Sequence, residues 1–191
     1  MNFLDDGQGL SLRPVERADL PRLRDWRNQP DIRLRTREWR PLTLEHQERW
    51  FQRITATDAS DFMFLIVVTV EVGEFVAPPQ EAGVVGWTHW SPIDQVAETS
   101  FYIGPAEARG KGYAHRALVL LHEWGFQGLG LARAFAEVYA DNAASIALLI
   151  RLGYREEGRL RSHVFRDGRR QDSLLLGLLR EEWKAPSTTP D

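Results

Sequence analysis

Two glycines and two basic residues separate a predicted strand from a predicted helix, and this junction constrains the fold more than any other stretch. The order is Arg109-Gly110-Lys111-Gly112-Tyr113-Ala114. Residues 99–104 alternate as in a strand, and apolar residues recur at helical spacing over 114–126. The first N–H groups of a helix have no partners within it and lie at the positive end of its dipole, so they bind anions. Because glycine allows close approach of the backbone, the junction predicts a phosphate pocket.

Two common phosphate loops do not fit this junction. A P-loop needs Gly-x-x-x-x-Gly-Lys followed by Ser or Thr, whereas Gly112 follows Lys111 and the upstream Gly104 lies at the wrong spacing. A dinucleotide-binding loop needs a third glycine where this chain has His115. Two interpretations remain: an Arg-x-x-Gly-x-Ala phosphate loop, or a plain helix start without a ligand.

A second strand and helix follow the first pair. Residues 133–140 alternate as a strand, Asp141-Asn142 can start a helix, and Gly153 can end it. Together with the first loop, Asn142-x-x-Ser145 and Leu152-Gly153-Tyr154 resemble the two conserved blocks of the GNAT superfamily, the acyl-CoA-dependent N-acyltransferases. Residues 158–183 resemble the end of the branch that includes the ribosomal-protein alanine N-acetyltransferases and many small-molecule relatives.

The composition excludes several classes of protein. The chain has 191 residues, 43% hydrophobic and 27% charged, and no apolar run approaches the ~20 residues of a membrane span. Its acidic start is unlike a signal peptide. It has no cysteine, which excludes disulfides and thiolate sites, and its histidines lack metal-ligand spacing. A net charge of −3 argues against a nucleic-acid binder. We expect a cytoplasmic protein without metal, membrane or nucleic-acid partner.

The order of the elements predicts the fold. We expect one domain over 8–184, with a loose tail over 185–191. Strand, two helices, three strands, helix, strand, helix and hairpin indicate an α+β, GNAT-like fold, with a mixed, mostly antiparallel sheet of about seven strands flanked by about four helices. Asp167-Gly168 favours a type I′ turn in the hairpin. The strands on either side of the first loop's helix should run parallel, and the resemblance implies that they splay apart around the pantetheine arm.

The resemblance also implies the donor and its contacts. The donor is acetyl-CoA, used without a metal. Its predicted contacts are Tyr102, Ile103, Arg109, Gly110, Lys111, Gly112, Tyr113, Ala114, Asn142 and Ser145. A backbone N–H near Tyr102 or Ile103 could hold the oxyanion formed during transfer. Asn142 as a helix cap is an equally good explanation.

Acyl transfer to an amine requires removal of a proton from an ammonium and protonation of the leaving thiolate. Glu98, at a position where relatives often carry glutamate, is the predicted base; the alternative is that it pairs with an arginine or positions the amine. Many superfamily members supply a tyrosine four residues before the helix-ending glycine, but that position is Leu149 here. Ser145 is therefore the predicted acid, unless it is only a small residue that admits the pantetheine.

An irregular stretch rich in arginine is the predicted acceptor site. The residues assigned to the acceptor are Arg33, Arg35, Arg37, Trp39, Trp87 and His163. Arginine and tryptophan suit an acceptor with a phosphate or carboxylate. The alternative is a solvated connection whose Trp39 packs against the edge of the core.

These features predict transfer of an acetyl group to a primary amine, on a small molecule or a protein N-terminus, by direct attack in a ternary complex. The alternative, from another functional class, is a non-catalytic acyl-CoA-binding or regulatory module. The oligomeric state stays open, and a homodimer is one option.

Overall fold

The computed structural model describes residues 3–73 and 75–185. Its strands are β1 Leu4–Asp5, β2 Leu10–Pro14, β3 Phe62–Val68, β4 Glu71–Val72, β5 Phe75–Val76, β6 Gln80–Ser91, β7 Val96–Ile103, β8 Arg133–Tyr139, β9 Arg155–Arg166 and β10 Arg169–Leu179. Eight of them form one sheet in the order β1-β2-β3-β6-β7-β8-β10-β9, and β4 pairs with β5 separately.

The helices cover both faces of this sheet. They are α1 Leu20–Asn28, α2 Pro30–Arg33, α3 Leu44–Ile54, α4 Tyr113–Glu123 and α5 Ala143–Arg151. Apolar residues of α4 and α5 pack with the larger core cluster, which includes Leu118 and Leu149. Residues of α1 and α3 pack on the opposite face with Leu65 and Val84. No helix within the described ranges is long and apolar enough to cross a membrane.

The predicted α+β fold is confirmed. The sheet has eight strands instead of about seven because the two-residue β1 pairs with β2, Leu4 opposite Leu12. Residues 3–73 and 75–185 form five α-helices instead of about four because Pro30–Arg33 forms an additional single turn. Asp167 and Gly168 have φ of 48° and 73°, as a type I′ turn requires. Except for Ala185, the predicted tail lies outside the described residues.

Two strands of the sheet diverge, and this divergence creates the site. β7 and β8 are the parallel pair, as predicted, and their ladder has three pairs: Val96–Arg133, Ala97–Ala134 and Glu98–Phe135. Beyond Glu98, β7 continues to Ile103 and β8 to Tyr139 without pairing to each other. We call this opening the fork. It lies at the carboxyl ends of both strands, the end from which the chain leads into α4.

Candidate active site

The loop before α4 has the backbone that the sequence predicts. Gly110 and Gly112 have φ of 72° and 78°, and Gly112 is the N-cap of α4. A Cβ added to either glycine would meet nothing within 4 Å, so the space in front of the loop is open. The backbone N–H of Arg116 donates to the Gly112 carbonyl oxygen at 3.1 Å, the first hydrogen bond of the helix. The N–H groups of Tyr113, Ala114 and His115 precede that bond and are free for an anion. The loop therefore fits a diphosphate.

Arg109 and Lys111, both predicted to contact the donor, point in different directions. Arg109 donates to the carbonyl oxygens of Ile103 (3.4 Å) and Gly104 (3.1 Å) and to Gln29 Oε1 (2.9 Å), and it pairs with Asp31. Its guanidinium thus ties the loop to α1 and α2. Lys111 is exposed and, with Tyr113, lines a second cavity of about 370 Å³. Lys111 therefore keeps its charge available near the loop.

The edge of β7 offers backbone donors to the fork. Gly104 N–H donates to Ala82 O on β6 at 3.0 Å. Because successive residues of a strand direct their N–H groups to opposite edges, the N–H of Ile103 faces the fork and that of Tyr102 faces β6. Of the two oxyanion donors considered from the sequence, only Ile103 has the required direction. The Tyr102 side chain lies beside Arg27, whose guanidinium carbon is 5.9 Å from the ring centroid.

A cavity of about 840 Å³ opens beside the fork, on the face covered by α3. Its walls come from the segment between α2 and α3, from α3 itself, from β7 and β8, and from the start of α5. We call it the acceptor cavity. Six residues predicted for the site line it: Arg35, Arg37, Glu98, Tyr102, Asn142 and Ser145.

Glu98 lies at the branch point of the fork and is buried, with 7% of its side chain exposed. Its Oε2 accepts from Arg37 Nη1 at 2.8 Å and its Oε1 from Arg37 Nη2 at 2.5 Å. His89 Nδ1 lies 2.9 Å from Oε2. The Glu98 carboxylate raises the pKa of the Arg37 guanidinium above its ordinary value. The base predicted from the sequence is thus a buried carboxylate held by a guanidinium.

A second carboxylate, Glu137 on β8, was missed from the sequence. It points into the same cavity, 16% exposed, with Oε2 3.4 Å from Arg37 Nη2 and Oε1 3.1 Å from His163 Nδ1. Alternation along β8 could have found it, because Ala134, Ala136 and Val138 belong to the core and the residues between them face the other side. His163, predicted for the acceptor, reaches the site through Glu137 and does not itself line the cavity.

A chain of three buried side chains runs from the fork into the core. Thr99 Oγ1 lies 2.5 Å from the Tyr154 hydroxyl, which lies 2.6 Å from His122 Nε2; His122 Nδ1 lies 2.6 Å from Leu118 O. A carbonyl only accepts, so Nδ1 carries the proton, Nε2 accepts from Tyr154, and Tyr154 accepts from Thr99. Burial lowers the pKa of His122 to about 4 and raises that of Tyr154. The imidazole is therefore neutral at physiological pH.

The start of α5 brings the second motif to the cavity. Asn142 is the N-cap, and its Oδ1 accepts from Ser145 N–H at 3.4 Å, so the capping explanation is correct. Asn142 and Ser145 both line the acceptor cavity, as does the buried Leu149. The position that many relatives use for a tyrosine acid thus faces the site but carries no titratable group.

Besides His163, three further residues predicted for the acceptor do not line the cavity. Trp87 is fully buried against Gly125 and His122, so its predicted contact with the acceptor is wrong. Because β6 is covered on both faces, the alternation of its residues could not show which of them reach a cavity. Arg33 donates to Trp39 O at 2.7 Å. Trp39 is 47% exposed and lies beside Arg166, 5.8 Å from ring centroid to guanidinium carbon.

Comparison with known proteins agrees with this geometry. Residues 10–155 match the family described as the acetyltransferase (GNAT) domain. The chain belongs to the GNAT acetyltransferase family. Members of this family take their acetyl group from acetyl-CoA.

Two relatives that are N-acetyltransferases by name match different shares of this chain. The uncharacterized N-acetyltransferase YoaA of Bacillus subtilis is 31% identical over 98 residues, 51% of this chain and 55% of that protein. The chain therefore spans about half the length of that relative. Spermidine N(1)-acetyltransferase of Escherichia coli is 26% identical over 98% of this chain and 95% of its own length.

The fold is shared with a solved N-acetyltransferase structure. The spermidine N-acetyltransferase of Vibrio cholerae, solved in complex with CoA and spermine, superposes with a TM-score of 0.79. The match is 23% identical and covers 91% of this chain and 97% of that one. At this identity the likeness concerns the fold alone.

Proposed function

We propose that this protein transfers an acetyl group from acetyl-CoA to a primary amine of a small molecule or a protein N-terminus. The observation that carries the proposal is the fork. The ladder between β7 and β8 ends at a buried carboxylate, Glu98, and the glycine loop before α4 lies at the same end of the strands. A diphosphate on the loop and a thioester in the fork would place the acyl carbon beside the acceptor cavity.

The proposed chemistry is direct attack in a ternary complex. The acceptor ammonium loses one proton to Glu98, directly or through water, and its nitrogen lone pair attacks the thioester carbonyl. The carbonyl oxygen becomes an oxyanion, which the Ile103 N–H can hold from the fork edge of β7. The carbon–sulfur bond then breaks, and Ser145 is the residue proposed to protonate the leaving thiolate. It takes the second proton of the former ammonium nitrogen in return, which leaves a neutral amide. Leu149 cannot take that role.

The acceptor we propose carries an acidic group near its amine. Among the residues that the structure describes, Arg27, Arg35 and Arg53 line the cavity without an ion-pair partner. Arg40 pairs with Glu38, so fewer arginines are available to an acceptor than the arginine-rich sequence suggests. Three guanidinium groups without an ion-pair partner suit a carboxylate or phosphate of the acceptor.

The test is an acceptor screen with acetyl-CoA. Release of free CoA thiol and the mass of the acetylated product are measured for matched amines with and without a carboxylate or phosphate. We expect product, with higher kcat/KM for the acidic members of each pair. A preference for polyamines would contradict the acidic acceptor while keeping the acetyl transfer. Calorimetric binding of acetyl-CoA without thiol release from any amine would instead support a non-catalytic module.

A further inference from the structure

Two carboxylates in the acceptor cavity share one cation. The side chains of Glu98 and Glu137 are 7% and 16% exposed, and the guanidinium of Arg37 contacts both. It makes two bonds to Glu98, at 2.8 and 2.5 Å, and one longer contact to Glu137, at 3.4 Å. We call this arrangement of two carboxylates the ammonium seat.

The sheet fixes the position of the seat. Glu98 pairs with Phe135 in parallel register, so both side chains lie on the same face. Glu137 is two residues beyond Phe135 on β8 and therefore projects from that face as well. The two carboxylates thus stand on either side of the fork, on its acceptor side. Two carboxylates that contact the same guanidinium repel each other, so a cation between them stabilises their charged forms.

The cation now in the seat comes from a part of the chain without helix or strand. Arg37 lies between α2 and α3, and 55% of its side chain is exposed. Its backbone is held by Arg166, whose Nη2 donates to the carbonyl oxygens of Thr36 and Arg37, each at 3.3 Å. The segment can therefore stay in place while the exposed guanidinium leaves the seat. His89 faces Glu98 and His163 faces Glu137 as the other titratable neighbours.

We propose that the acceptor's ammonium displaces Arg37 from the Glu98–Glu137 seat, so that Arg37 acts as a cationic stand-in that sets which amines are accepted. The inference rests on the acetyl transfer proposed above. While Arg37 is seated, both oxygens of Glu98 accept hydrogen bonds from it, and the carboxylate is not free to take a proton. When an ammonium replaces Arg37, one proton passes from nitrogen to Glu98 and the neutral amine attacks. An amine that cannot outcompete the guanidinium does not react.

The test compares Arg37→Ala with wild type. We expect the KM for the amine to fall about five- to tenfold, because the competing ion pair is gone, with kcat not reduced and the KM for acetyl-CoA unchanged. We also expect methylguanidinium to inhibit Arg37→Ala competitively against the amine, and to inhibit wild type much less. The matched control is Arg155→Ala, which removes a 2.8 Å surface pair with Glu182 outside the cavity and leaves every parameter unchanged.

The outcomes separate this inference from the proposed function. An unchanged or higher KM for the amine in Arg37→Ala, together with no effect of methylguanidinium, overturns the stand-in role even when wild type acetylates amines. If no amine is acetylated, calorimetry of methylguanidinium with Arg37→Ala still tests the seat: binding that is lost in Arg37→Ala/Glu137→Gln supports it, and absence of binding overturns it. If Arg37→Ala does not fold, Arg37→Lys takes its place. Lysine lacks the planar guanidinium that contacts both carboxylates, so this variant should lower the KM for the amine by a smaller factor.

Discussion

Glu98 combines two properties that a general base for an ammonium needs. It is buried at the branch point of two strands, and it faces the cavity in which an acceptor would lie. Its environment is polar, with Arg37 and His89 both in contact. Whether it transfers a proton or only holds the amine is decided by a substitution that keeps shape and removes basicity.

Glu98→Gln is that substitution. We expect kcat/KM for the amine to fall by about 10²-fold or more at neutral pH, because glutamine cannot accept the proton. The dissociation constant of acetyl-CoA should stay unchanged. Glu157→Gln is the matched control, since Glu157 pairs with Arg133 outside the cavity. Steady-state kinetics with wild-type turnover in Glu98→Gln would remove Glu98 as the base.

His122 makes stability depend on pH. Its pKa is about 4 in the fold, because it is buried, against about 6.5 in an unfolded chain. Between these values the unfolded state binds a proton that the folded state does not, so stability is lost as pH falls from about 6.5 towards 4. The loss is up to about 1.4 kcal/mol per pH unit. We expect His122→Gln, measured by urea unfolding, to lose about 2 kcal/mol less than wild type between pH 7 and 5. Equal losses in the two proteins would show that His122 is not the titrating group.

The glycine loop before α4 is the element that would hold the donor. Gly112 caps the helix at a φ of 78°, which other residues rarely adopt. The space beside its Cα is open, so a side chain there would strain the backbone and enter the room left for phosphate oxygens.

Gly112→Ala and Gly168→Ala form a matched pair. Both glycines have positive φ, 78° and 73°, and neither Cβ would meet an atom within 4 Å. Both variants should therefore lose about 1 kcal/mol of stability through backbone strain. Only Gly112→Ala should weaken acetyl-CoA binding, about tenfold or more, in a calorimetric titration. Equal affinity in the two variants would contradict the placement of the diphosphate on this loop.

The N-caps of α3 and α5 form another pair. Thr43 accepts from His46 N–H at 3.3 Å and Asn142 from Ser145 N–H at 3.4 Å. Each change to alanine should cost about 1 kcal/mol in thermal unfolding. We expect Asn142→Ala, which also removes a cavity-lining amide, to weaken acetyl-CoA binding about fivefold, and Thr43→Ala to leave it unchanged. If Asn142→Ala and Thr43→Ala bind acetyl-CoA equally well, Asn142 serves only as a helix cap.

The sequence predicts an element well when the residues that determine it lie close together in the chain. The loop before α4 and the turn at Asp167-Gly168 follow from residues a few positions apart, and both are confirmed. The two-residue β1 exists only because β2 supplies its partner, and no local pattern predicts it. The ammonium seat joins Arg37 to residues 61 and 100 positions away, so it could only appear once the strands were placed. Trp87 was misplaced because an apolar run buried on both faces carries no direction.

At the scale of the whole molecule, the site exists because one junction in the sheet is parallel. Within this sheet, β1, β2, β3, β6 and β7 form one antiparallel block and β8, β10 and β9 form another, and α4 connects the two blocks. The blocks separate after three pairs, which opens the fork between the glycine loop and the acceptor cavity. The central claim is that this opening brings the thioester of acetyl-CoA to Glu98.

A crystal structure of the protein with coenzyme A tests that claim most directly. We expect diphosphate oxygens about 3 Å from the N–H groups of Tyr113, Ala114 and His115, with the pantetheine between β7 and β8 and its sulfur near Glu98. A nucleotide bound elsewhere, or β7 and β8 paired beyond Glu98 with coenzyme A outside the fork, would contradict it.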